Sequence, residues 1–220
     1  MSEFHFHHPP PNILRITKFG HLEHIHFGER VSAKYIEPLA VKHDIQHGTS
    51  VLYDSSDPDY GLDYMCLEWS GTGCGDYRQS PVELKMPDGS YRNDFLYQSH
   101  EIKKGCVPMD TLPCSCGDDA ETLIITLREA RCDVYLKLYY TVFEKSDVIT
   151  RRSVIENRSA GVVSLRRFMS MSVDIPDRGL NMLTFDGGWI RETHKTVRPV
   201  EYGMYINSST TGASSNIHNP

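Results

Sequence analysis

Between residues 120 and 172 the chain lays down four stretches that can only be strands. They are residues 121–129 (ETLIITLRE), 132–142 (CDVYLKLYYTV), 146–157 (SDVITRRSVIEN) and 161–172 (GVVSLRRFMSMS). Val, Ile, Tyr and Thr dominate and alternate with polar residues. That pattern suits a pleated, half-buried surface and denies a helix its 3.6-residue stripe. Ala130 and Arg131 separate the first two stretches, and the turn residues Asn157, Arg158, Ser159, Ala160 and Gly161 separate the last two. Strands at regular spacing with turn signals between them specify an all-β chain folded as an antiparallel β-sandwich.

Upstream the same logic gives shorter pieces. Residues 12–19 and 21–27 read as a hairpin around Gly20, with Leu22, His24 and His26 on one face against Glu23, Ile25 and Phe27. Two alternating histidines could ligate a metal, but no third ligand stands near, so they read as partly exposed strand residues. Residues 37–50, with His43, Asp44 and His47, fit a polar helical turn or a functional loop. Residues 54–61 are a loop by their Ser, Asp, Pro and Gly breakers. Residues 67–81 (LEWSGTGCGDYRQSP) carry Gly71, Gly73 and Gly75, a backbone free to take positive φ and to approach its neighbours closely. Residues 81–86 are expected to be a strand, Met86 to Ser90 a Pro-Asp-Gly turn, and residues 93–103 the returning strand.

Composition narrows the partners. A formal charge of −6 leaves no basic stripe for nucleic acid or anionic membrane. No apolar run approaches the ~20 residues of a membrane helix. The N-terminus shows no basic segment followed by an apolar one, so a cytoplasmic location is expected. The sequons at Asn157 and Asn207 are then chance matches. The six cysteines form no CxxC pair, and Cys114-Ser115-Cys116 is too short for a zinc knuckle. Reduced, buried or half-buried thiols are expected, with no metal and no cofactor. Residues 1–12 read as a flexible, proline-stiffened arm and residues 13–220 as one sandwich domain.

The order of the motifs resembles a known family. A segment of the form E-x-x-G-x-G-x-G-D-[FY]-R stands at Glu68 to Arg78. A strand ending in His100 follows, then Lys104-Gly105 and Leu112-Pro113. The strands quoted above come next, then RRFMSMSVDIP, GGWIRE (residues 187–192) and GASSNIHNP. This is similar to the N-terminal β-sandwich domain of the glycoside hydrolase family 36 α-galactosidases. The resemblance implies a parent that is a retaining exo-glycosidase for terminal α-galactosides, or for α-N-acetylgalactosaminides in a second branch. It implies two catalytic aspartates in a (β/α)8 barrel, within K-W-D-x-N and C-x-x-G-G-x-R-x-D motifs. Neither motif occurs in these 220 residues, so no catalytic residue is expected and the chain should be inactive alone. The sandwich is expected to be incomplete, with open edges covered by self-pairing or loops. A homo-oligomer is expected, tetrameric in the parent.

The resemblance also implies a sugar-facing aspartate from an N-terminal loop. Asp44 is the candidate, with Asp54 and Asp57 as alternatives, because a carboxylate accepts short bonds from adjacent hydroxyls. Trp189 could stack on a sugar or be buried at a core or interface. Glu68, Trp69, Asp76 and Arg78 are loop or interface candidates. Asp76 and Arg78 share a strand face and read as a clamp between loop and sheet, or as a pocket wall. His100 and His218 read as structural. Two other readings stand beside the fragment. One is a carbohydrate-binding module using Trp69 and Trp189, and the other is a small enzyme built on Asp44, Asp54, Asp57 or Asp76.

Overall fold

The computed structural model describes residues 3–4, 12–28, 31–40, 51–212 and 215–216. Asp44, His43, His47 and His218 lie outside them. The chain divides into two compact units, residues 1–174 and 175–220, where the sequence reading has one domain. In the first unit the strands are β1 (Glu3–Phe4), β2 (Asn12–Ile16), β3 (Leu22–Phe27), β4 (Val82–Lys85), β5 (Phe95–Lys104), β6 (Ala120–Glu129), β7 (Val134–Phe143), β8 (Val148–Asn157) and β9 (Ser164–Phe168). One short helix, α1 (Ile36–Leu39), stands among the described residues, beside single 3-10 turns. Within the expected N-terminal arm, Glu3 and Phe4 form a strand on Arg15 and Leu14.

The four long strands form an antiparallel sheet in the order β5-β6-β7-β8. Its register follows from the alternation: Leu123, Ile125 and Leu127 oppose Tyr140, Leu138 and Leu136, and all six are at most 2% exposed. Each buried aliphatic side chain contributes about 1.5–3 kcal/mol. The β6–β7 turn is tied by the Glu129 carboxylate, which accepts the backbone N–H of Arg131 (2.6 Å) and of Cys132 (2.9 Å). Leu14, Leu22, Trp69, Val82, Leu84 and Met86 pack onto the inner face of this sheet. They belong to the opposing layer, built from the β1-β2-β3 sheet and the β4-β9 pair. The fold is therefore an all-β sandwich.

Three local expectations need correcting. Residues 93–103 do not return along β4: the turn forms, with Gly89 N–H on the Met86 carbonyl at 2.9 Å, but β5 pairs with β6. β4 instead pairs with β9, Val82 opposite Phe168. The reason lies in length, since ten-residue β5 finds in β6 a partner that runs along its whole length, whereas β4 offers four residues. In β3 the two-faced alternation fails at its start, where Leu22 and Glu23 are both buried. Glu23 is held there by the Arg15 guanidinium, Nε to Oε2 at 3.0 Å. Finally, Cys114 and Cys116 are exposed rather than buried or half-buried, although all six thiols are free.

Residues 105–119 lie across the outer face of the sheet and explain why it is not simply polar. Thr122, Ile124 and Thr141 on that face are buried. The Thr122 hydroxyl donates to the Gly105 carbonyl (2.7 Å), and Arg152 reaches the Pro108 carbonyl (3.4 Å). The loop is closed at its base by Gly105 N–H on the Ala120 carbonyl, 2.7 Å.

The second unit is a hairpin of β10 (Asn181–Gly188) and β11 (Arg191–Pro199), with an irregularity between Asp186 and Gly188. Its tip carries Trp189, 82% exposed, and Ile190 at φ 62°. A β-branched residue in the left-handed region is an outlier that costs backbone energy.

Candidate functional site

The Gly-rich segment is the hub of the first unit, but not as a surface loop. Its start is pinned to β3: Glu68 N–H donates to the Leu22 carbonyl (2.9 Å), and His24 N–H donates to that of Cys66 (2.7 Å). That pairing drives Leu67 and Trp69 into two core clusters, and Trp69 is 4% exposed. Its ring meets Phe168 edge-on at 5.9 Å. Trp69 and Glu68 thus lie in an irregular segment, as expected, but with their side chains in the interior rather than on an exposed surface. The segment then turns at Gly71, where a Cβ would stand 2.5 Å from the Asn93 carbonyl oxygen. No other residue type fits that approach.

Three polar clusters surround this hub. In the first, the Glu68 carboxylate is fully enclosed by Tyr140, whose hydroxyl donates to Oε1 at 2.6 Å, and by Arg151, whose Nη2 stands 2.8 Å from the same oxygen. Burial pushes the Glu68 carboxyl above its ordinary value, and the Arg151 charge and the Tyr140 bond only partly offset this. Burial, with the Glu68 charge beside it, also raises the Tyr140 phenol well above its usual range.

In the second, Asp76 accepts the backbone N–H of Arg78 (3.1 Å) and its Nε (3.0 Å), and takes the Ser70 hydroxyl on its other oxygen. Arg78 also reaches Asp174 (2.9 Å) and the Leu62 carbonyl (3.1 Å). Asp76 and Arg78 do meet, and they clamp three chain segments together.

The third cluster was hidden from sequence reasoning. His21 bridges Tyr60 and Asp94, with Nδ1 2.8 Å from the Tyr60 hydroxyl and Nε2 2.9 Å from Asp94 Oδ1. The Tyr53 hydroxyl donates to Asp94 Oδ2 at 2.8 Å, and Thr17 meets the Tyr60 hydroxyl at 2.5 Å. Burial pushes the Asp94 carboxyl up, but the bonds from His21 and Tyr53 outweigh it and the net displacement is downward. His21 and Asp94 lie 73 residues apart, so no local spacing could have joined them. The one available signal was the polar spacing Tyr53, Asp57, Tyr60 in a loop rich in aromatics.

The remaining sequence candidates scatter. Asp54 caps its own turn through Ser56 N–H (2.8 Å), and Asp57 binds Lys18 (2.7 Å). His100 sits on β5 with its Nδ1 2.9 Å from the Tyr97 hydroxyl. Trp189 lies at the hairpin tip of the second unit. Among the described residues no three His, Cys, Asp or Glu side chains group as metal ligands. Each of the carboxylates Glu68, Asp76 and Asp94 is already engaged by a cation, an imidazole or a hydroxyl, so the clusters bind chain to chain.

Comparison with known proteins adds the context. The model of the glycosyl hydrolase family 36 N-terminal domain matches residues 20–220. The probable alpha-galactosidase G of Emericella nidulans is 39% identical over 161 residues, 72% of this chain and 22% of that protein. Alpha-galactosidase AgaA of Geobacillus stearothermophilus is 31% identical over 211 residues, 94% of this chain and 29% of its own. The crystal structure of AgaA superposes with a TM-score of 0.91 at 30% identity, covering 100% of this chain and 31% of that one. An alpha-galactosidase from Lactobacillus brevis gives 0.90 at 26% identity, over 100% and 30%. The chain therefore spans less than a third of the relatives it matches. AgaA variants have been crystallised with raffinose and with stachyose.

Proposed function

Since the chain belongs to glycosyl hydrolase family 36 through its N-terminal domain, we propose that it is the non-catalytic sandwich of a retaining α-galactosidase. The parent hydrolyses terminal α-galactosides of the raffinose type. The sandwich acts as scaffold, supporting the rim of the active site and subunit contacts in a cytoplasmic oligomer. The observation that carries this is the superposition on AgaA, where the whole chain matches less than a third of the enzyme. The raffinose and stachyose complexes of that relative support the substrate class.

The polar clusters support a scaffolding role. A retaining glycosidase needs two carboxyl groups about 5 Å apart across an open cleft. Here Glu68, Asp76 and Asp94 are buried, and each is paired with its own cation, imidazole or hydroxyl. Asp44 is assigned to sugar contact by family likeness alone.

The test is turnover of a chromogenic α-galactoside by the 220-residue chain and by the polypeptide read on from Pro220 in its own gene. The chain alone should release no chromophore, and the extended protein should release it. Turnover by the isolated chain would overturn the proposal. A binding-module reading draws on the exposed Trp189 only, because Trp69 is inside the core. Saturable binding of galactose by the chain, abolished in Trp189→Ala, would favour it instead.

A further inference from the structure

The cysteines divide into two chemical groups. Cys74 is buried, while Cys66, Cys106 and Cys132 are half-buried. Burial raises the Cys66 and Cys74 thiols, and burial with the nearby Glu129 carboxylate pushes Cys132 up to about 11. A thiol so raised carries little thiolate and reacts slowly. Cys114 and Cys116 are exposed, two residues apart, in the loop that lies across the outer face of the β5–β8 sheet. Pro113 stiffens the chain before them. Gly117 follows, its Cα so close to the Phe143 ring that a Cβ would stand 3.1 Å from it. The base of the loop is closed by the Gly105–Ala120 bond, and its far end is held where Lys145 N–H donates to Asp119 at 3.0 Å. The two thiols are thus presented to solvent on a loop anchored at both ends.

We propose that Cys114 and Cys116 are a redox-responsive thiol pair, closed to an intraloop disulfide by a small-molecule disulfide such as oxidised glutathione. One thiolate attacks the oxidant's S–S bond, forming a mixed disulfide and expelling one glutathione thiolate. The second protein thiolate attacks the sulfur bound to the first, closes the ring and expels the other glutathione. The protein loses two protons and two electrons, and the oxidant is reduced to two thiols. Residues 113–117 belong to no helix or strand, so a turn at Ser115 can bring the two Cβ atoms to the separation of about 3.8 Å that a disulfide needs. An exposed and constrained disulfide of this kind is readily reduced again, which makes the pair reversible.

The folded chain is incubated with oxidised glutathione, remaining thiols are alkylated, and the tryptic peptide of residues 105–128 is weighed. That peptide holds Cys106, Cys114 and Cys116. The expected product has lost two hydrogens, carries one alkyl group on Cys106, and reverts with dithiothreitol. Loss of free Cys114 and Cys116 should run at least about tenfold faster than loss of Cys74. Cys116→Ser should instead retain a glutathione on Cys114, and Cys106→Ser should still close the ring. Pairing of Cys106 with either residue, or a stable glutathione on both exposed cysteines of the unaltered chain, would overturn the proposal. So would equal rates at all six thiols in the folded protein.

Discussion

Two buried carboxylates, Glu68 and Asp94, are built from the same parts and are shifted in opposite directions. Each has one tyrosine and one nitrogen partner: Tyr140 and Arg151 for Glu68, Tyr53 and His21 for Asp94. Both donors to Glu68 meet the single oxygen Oε1, whereas Asp94 spreads its partners over Oδ1 and Oδ2. Glu68 also lies deep between the two layers, next to Trp69, while Asp94 sits where the Tyr53–Tyr60 loop meets the first residues of β5. Desolvation therefore wins at Glu68 and hydrogen bonding wins at Asp94. The sign of a buried acid's shift depends on how deeply it is buried as well as on its donors, and a count of them is not enough.

The comparison can be broken most severely at Arg151. Arg151→Ala leaves the Glu68 carboxylate enclosed without its cation and should cost about 3–5 kcal/mol in urea unfolding. The double variant with Glu68→Gln should recover part of that loss, since no buried charge then remains. Gly71 stands where the two regions touch, between Glu68 and the Asn93 carbonyl. Gly71→Ala should destabilise by about 1–3 kcal/mol, measured the same way, because the new methyl must displace backbone.

A gentler probe is the pH dependence of stability. Asp94 has a depressed folded value, so its contribution is fully present above 3.8 and is lost as pH falls toward the folded value. Glu68 has a raised folded value, so stability rises as pH falls through it and levels off below 4.5. Asp94→Asn should remove an acid-side loss and Glu68→Gln an acid-side gain. Thermal melts between pH 3 and pH 7 (a range of about four units) would show the two slopes change in opposite directions. Equal slopes would mean the two sites do not differ as described. The smallest effect is expected outside both regions: Trp189→Ala, at an exposed hairpin tip, should move the unfolding free energy by no more than about 0.5 kcal/mol.

These differences mark the boundary of what the sequence could disclose. The meander from β6 to β8 was legible because alternation within each strand is a local property, and the observed bounds move by only a residue or two. The Gly-rich segment was visible by its composition, through Gly71, Gly73 and Gly75, which is also a local property. What it touches was not, since Trp69 reads as exposed until Glu68 N–H is known to pair with Leu22. The pairing of β4 with β9 and the meeting of His21 with Asp94 both join residues more than 70 positions apart. A side-chain period says which way a residue points but not what lies opposite. The Asp76 and Arg78 clamp is the intermediate case, readable as a pair from spacing, with its reach to Leu62 and Asp174 supplied only by the fold.

The pairing of β4 with β9 sets an order of events during synthesis. Residues 82–85 leave the ribosome well before residues 164–168, and everything between them builds the four-stranded sheet. At a synthesis rate of about 5–20 residues per second, that is a wait of roughly 4–16 s. Through it Val82 and Leu84 have no strand to lie beside. The β4–β9 pair can therefore close only after every strand of the meander has been synthesised, and until then one short ribbon is left bare.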